Sequence, residues 1–137
     1  MSKSFLPRSP LYCMEKGIEI AFQLNSDSEG TKTVLALADL TGNYFLRNLD
    51  LDWRVFHVTL DGQKYFRVLF TGRKTGALHP EVHREIREKF DSMSRLPYPE
   101  LMRLYDKEAK SGNFRKCTIK EIQEEYDLWQ DKFWQYF

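Results

Sequence analysis

The sequence predicts an α+β fold, an antiparallel β-meander of about five strands over residues 15–72 followed by three amphipathic helices over 80–94, 98–111 and 118–136. Two observations carry this reading. Large apolar residues alternate with polar ones through the first half, the period of a half-buried strand, and recur three or four apart through the second, the period of a helix. Asp61-Gly62 also sits between two apolar runs, which is the strongest short-range hairpin signal. Strands first and helices after give an α+β domain.

Residues 1–11 hold Pro7 and Pro10 around Phe5-Leu6 and read as an extended arm, because proline blocks both helix and central-strand pairing. Residues 12–137 are then one domain, since 137 residues divided further would leave pieces too small to bury a core. From Gly17, the residues Ile18, Ile20, Phe22 and Leu24 share one face of a first strand. Asn25 to Gly30 is a polar loop, Thr33 to Leu40 a second strand, and Thr41-Gly42-Asn43 a turn into a short third strand at Tyr44-Phe45-Leu46. Asp50-Leu51-Asp52 leads into the hairpin.

A two-residue turn at Asp61-Gly62 pairs Leu60 with Gln63 and fixes the rest of the register. One hairpin face carries Trp53/Phe70, Val55/Val68, His57/Phe66 and Thr59/Lys64; the other carries Arg54/Leu69, Phe56/Arg67 and Val58/Tyr65. Both faces bear large side chains, so both want cover. The first is the more apolar and is assigned to the helices.

In the second half, Pro80 suits a first helical position, and Val82, Ile86, Phe90 and Met93 make an apolar stripe. Pro97-Tyr98-Pro99 ends that helix and starts another with Leu101, Leu104 and Tyr105 on its apolar side. Thr118 and Glu121 match a capping box for a last helix whose stripe is Ile122, Tyr126, Trp129, Phe133 and Phe137.

Composition removes several function classes. Lys+Arg is 21 and Asp+Glu 20, a net charge of +1, so no long-range field announces nucleic acid or an anionic membrane. Cys13 and Cys117 stand apart, with no zinc or redox spacing, and a reduced, cytoplasmic chain is the expectation. The opening residues lack the apolar core of a signal peptide, and no run reaches the about 20 apolar residues of a membrane span. Glycine-rich phosphate loops, the nucleophile elbow and the zinc-protease helix motif are absent from the sequence. No cofactor or metal is therefore expected.

Four weaker patterns remain. His79 and His83 are four apart, but Pro80 sets the first at the helix start and no third ligand follows, so helix-start polar residues are the reading. His57-Val58-Thr59 resembles half of the paired signature of the two-histidine phosphoesterases, which needs a second copy this chain does not supply. Asp50-Leu51-Asp52 resembles the two-acid motif of nucleotide-sugar enzymes, yet acidic residues equally suit a tight turn. Between Trp53 and Gly76, five basic residues (Arg54, Lys64, Arg67, Arg73 and Lys74) oppose only Asp61, and Phe56 and Tyr65 interleave with them as rings for base stacking.

The reading that results is a non-enzymatic binding or regulatory protein. It docks a macromolecular partner, a protein, through Phe56, Tyr65 and Leu69 of the second sheet face and Trp134 and Tyr136 of the last helix, with self-association into a homo-oligomer as a further possibility. Two alternatives stay open. One is single-stranded nucleic-acid binding by the basic hairpin, whose meander-then-helix layout resembles the Whirly-type single-strand binders. The other is a small ribonuclease using His57, Lys64 or Arg67.

Overall fold

A computed structural model describes residues 17–22, 27–60, 62–73 and 78–122 of the chain. In chain order these form β1 (Gly17–Phe22), α1 (Ser28–Leu46), β2 (Leu51–Leu60), β3 (Gln63–Gly72), α2 (Pro80–Ser94), α3 (Tyr98–Ala109) and β4 (Ile119–Ile122). The strands make one mixed sheet in the order β1-β3-β2-β4. β3 is antiparallel to both of its neighbours, and β4 runs parallel to β2. β1 and β2 therefore point the same way with β3 between them, and α1 is the crossover that joins them.

The hairpin forms in the register its turn dictates. Leu60 faces Gln63, Trp53 faces Phe70, Val55 faces Val68 and His57 faces Phe66. Gly62 takes φ 78°, a left-handed value that costs glycine nothing.

The expected five-strand meander does not form, and two segments account for the difference. Residues expected to make the second and third strands belong to α1. Apolar residues occupy almost every position there, and Val34, Ala36, Leu37, Ala38 and Leu40 are all buried, so an alternating subset can be picked out of a run that is apolar on all sides. Tertiary burial decides the matter. Asp27 caps the helix, its carboxylate accepting from the Gly30 amide at 2.8 Å, and the Thr33 hydroxyl donates to the Glu29 carbonyl at 2.8 Å. Gly42, expected in a turn, lies inside the helix against Trp53.

The second correction falls on the last helix, expected over 118–136. Residues 119–122 form β4 instead, pairing Val55 with Ile119 through Val58 with Ile122. The free edge of β2 outcompetes the capping signal of Thr118 and Glu121, because backbone groups along an open edge need partners. Residues 123–137, with Trp134 and Tyr136, and the arm at 1–11 lie outside the described residues.

The core is the sheet face that carries Ile18, Ile20, Leu51, Trp53, Val55, Phe66, Val68 and Phe70. Val34, Leu37 and Phe45 of α1, Ile86, Phe90 and Met93 of α2 and Leu101 of α3 pack on it. α1 lies over β2 and β3, flanked by α2, which also reaches β1, and by α3. The opposite face is buried as well: Phe56, Val58 and Leu69 are 0% exposed and Arg67 2%.

Candidate functional site: a groove between three helices

Two neighbouring arrangements on α1 concentrate the polar chemistry of the described residues. The first is a buried carboxylate. Asp39, 0% exposed, projects from the middle of α1 where its charge has no access to water. Such a group persists only if donors surround it. Its Oδ1 accepts from Trp53 Nε1 at 2.9 Å and from the Cys117 amide at 3.1 Å, and its Oδ2 accepts from the Tyr105 hydroxyl at 2.9 Å. One side chain thus ties together α1, β2, α3 and the segment entering β4. Burial, and then the negative charge of Asp39, push the Tyr105 phenol and the Cys117 thiol well above their ordinary ionisation ranges, so both stay protonated. Cys117 is a free thiol held in its inert form.

Asn43, one turn along α1, continues the brace. Its amide nitrogen donates to the carbonyls of Asp39 and Arg115, both at 2.8 Å, and its amide oxygen accepts from the Arg115 amide at 2.9 Å. The Arg115 guanidinium pairs with Asp52 and lies 4.6 Å from the centre of the Trp53 ring. Phe114 packs edge-on against Tyr105, with ring centres 5.5 Å apart. The chain after α3 is thereby pinned beside α1.

That pinning shapes the second arrangement, a half-open groove of about 440 Å³ between the three helices. Leu40 and Leu46 of α1, Met93 of α2, Leu104 of α3 and Phe114 supply its apolar lining. Tyr44 stands in its wall, 48% exposed, the large hydrophobic side chain left in water among the described residues. Lys89 of α2 reaches over Tyr44, its ammonium 4.1 Å from the ring centre. Arg47, at the end of α1, adds a second positive charge, while Glu108, Ser111 and Asn113 line the α3 side. Among the described residues none of Arg47, Lys89 and Glu108 has an oppositely charged partner within 4.0 Å. A concave apolar surface with unspent charges at its rim is suited to holding a ligand.

The residues singled out from the sequence are placed elsewhere. Phe56 and Leu69 share a face with Tyr65 as the register requires, but both are fully buried and Tyr65 half-buried, so a partner has no open platform at the first two. Arg54 and Arg67 lie on that same face, Arg67 at 2% exposure, while Lys64 lies exposed on the other. Arg73 is exposed beside Asp50, at 3.6 Å, and Lys74 falls outside the described residues. Bases therefore find no accessible Phe56 on which to stack.

His57, Lys64 and Arg67 do not converge either, because the sheet separates Arg67 from the other two. His57 is 8% exposed, stacks on Phe66 with ring centres 4.8 Å apart, and its Nδ1 lies 3.0 Å from Glu121 Oε1. His79 serves as the cap of α2, its Nδ1 accepting from the Glu81 amide at 3.2 Å. Among the described residues no three His, Cys, Asp or Glu side chains gather as metal ligands, and no helix is long and apolar enough to cross a membrane.

Sequence reasoning missed the groove because it read Tyr44 in a strand and Asn43 in a turn. One signal was available. Asp39 is a carboxylate inside an otherwise apolar run, and such a residue, once buried, requires an organised set of donors around it.

The model of a family described as protein of unknown function (DUF2004) matches residues 14–137, most of the chain. No curated protein matches it. The chain belongs to the DUF2004 family.

Proposed function

We propose that this DUF2004 protein is a non-enzymatic binding protein that receives a segment of a protein partner in the groove between α1, α2 and α3. The observation that carries the reading is Tyr44, 48% exposed in the wall of a groove of about 440 Å³ whose lining joins Leu40, Leu46, Met93, Leu104 and Phe114 to the charged Arg47, Lys89 and Glu108. Tyrosine and arginine are the side chains most often found to anchor protein interfaces, and here Tyr44 and Arg47 stand one helical turn apart. The groove replaces the second sheet face as the docking surface, since Phe56 and Leu69 are buried within the folded chain.

The buried Asp39 network serves this function by rigidity. It fixes α1, α3 and the 113–117 segment to one another, so the groove walls are held before a partner arrives, and less ordering is needed on binding.

A photoreactive residue placed at position 44, and separately at the exposed Lys64 beside the hairpin turn, tests the reading in cells of the native host. The expected result is a discrete cross-linked partner from position 44, absent from position 64 and lost when Arg47→Glu is added. The same cross-link pattern from both positions refutes the groove as the docking surface.

A further inference from the structure

The distribution of charge around the groove narrows what it can hold. Arg47 and Lys89 place two cations on the α1 and α2 side, and neither is neutralised by a carboxylate among the described residues. Lys89 rests on the Tyr44 ring, so one ammonium and one aromatic face are presented together. On the α3 side, Glu108 is also unpaired among the described residues and stands with the polar Ser111 and Asn113. The ligand must bring an anion to one wall and hydrogen-bond donors to the other, with an apolar group between them.

We infer that the occupant is an acidic peptide segment with a bulky apolar anchor: an Asp or Glu side chain engages Arg47 and Lys89, a Leu, Met or Phe side chain enters between Met93, Leu104 and Tyr44, and main-chain N–H groups face Glu108. Polypeptide supplies all three chemistries within a few residues. A nucleic-acid backbone brings negative charge to both walls and meets Glu108 with the wrong sign, and a free phosphate has no apolar group to place between them. An uncharged apolar ligand leaves both rim cations unpaired. This inference rests on the groove being the docking surface, and the experiment separates the two.

The full-length protein is panned against a display library of random peptides, in parallel with the double variant Arg47→Glu/Lys89→Glu and with Tyr44→Ala, each checked for an unchanged circular dichroism spectrum. The expected pool from the wild type is enriched in Asp or Glu within two residues of Leu, Met or Phe. Binding of a selected peptide falls at least about tenfold on either variant, as loss of an interface anchor requires, and the double variant selects Lys and Arg in place of Asp and Glu. A pool that depends on Tyr44 but shows no acidic preference overturns the acidic assignment and leaves the groove standing. A pool indifferent to all three substitutions overturns both.

Discussion

Replacing Gly42 by alanine tests the packing at the centre of the molecule, because the ordinary expectation and the structural one have opposite signs. In an open helix the substitution stabilises by about 1 kcal/mol. At this position the new Cβ meets Trp53 Cδ2 at 2.3 Å, Cε2 at 2.5 Å and Cε3 at 2.5 Å. Favourable carbon–carbon contact begins near 3.5 Å, so the indole has to withdraw by roughly 1 Å. It has nowhere to go: Trp53 is 0% exposed, its Nε1 is bonded to Asp39, and the Arg115 guanidinium lies against the same ring. Overpacking costs about 1–3 kcal/mol, and weakening a bond to a buried carboxylate adds about 1.5–3 kcal/mol. After the helix gain is subtracted, Gly42→Ala destabilises by about 1.5–5 kcal/mol. At roughly 3.5 °C per kcal/mol for a chain of this length, the melting temperature falls by about 5–18 °C. Thermal unfolding followed by circular dichroism measures it, with Gly112→Ala as control, since beyond its chain neighbours nothing lies within 4 Å of where the new methyl would sit and its effect stays within about 0.5 kcal/mol. A Gly42→Ala protein as stable as the wild type refutes the account of the Trp53 site.

Asp39→Ala strands three donors, that of Trp53 fully buried and those of Tyr105 and Cys117 partly so, and costs about 3–5 kcal/mol in denaturant unfolding, whereas Asp39→Asn, which keeps one acceptor for Trp53 and Cys117, costs less than half as much; equal losses contradict the donor assignment. The network also dictates an alkaline limit. Tyr105 and Cys117 ionise higher in the folded chain than at their ordinary values of 10.0 and 9.0, so the unfolded state releases these protons first. Their contribution is whole below pH 9 and lost as pH rises from there towards the folded values. Tyr105→Phe with Cys117→Ala flattens the decline of denaturation midpoint between pH 9 and pH 11, and an unchanged slope counts against the assignment. Glu121→Gln touches a carboxylate that is 60% exposed and shifts stability by at most about 1 kcal/mol, while His57→Ala removes the stacking on Phe66 and a buried ring and costs about 2–3 kcal/mol.

How much was legible in the sequence follows from where the information is local. The hairpin register was readable because Asp61-Gly62 leaves only one pairing for Leu60 and Gln63, and every later pair follows. α2 was readable because Pro80 starts it and its apolar residues fall on a single stripe. α1 was not, since its apolar residues surround the helix and Gly42 imitates a turn; the reason for that glycine is Trp53, eleven residues away and visible only in the fold. β4 was not either, because its four residues become a strand when the edge of β2 is offered to them, while the capping pattern of Thr118 and Glu121 points the same stretch towards a helix. The groove inherits both misses. Its walls are α1 and the segment leading to β4, so neither Tyr44 nor Asn43 could be placed beside Lys89 or Phe114 before those elements were known.

The parallel attachment of β4 also sets an order of events in folding. β2 and β3 can zip from their turn as soon as both are made, but the outer edge of β2 waits for residues 64 positions further along, the separation of His57 from Glu121. Until then the hairpin presents an unpaired rim of amides and carbonyls beside a newly collapsed apolar face. That interval is when two copies emerging close together can pair with each other through β2. Four residues of late-arriving strand thus cover part of an edge that would otherwise be open to pairing, and refolding yield will fall with protein concentration more steeply if Ile119 to Ile122 are weakened as a strand.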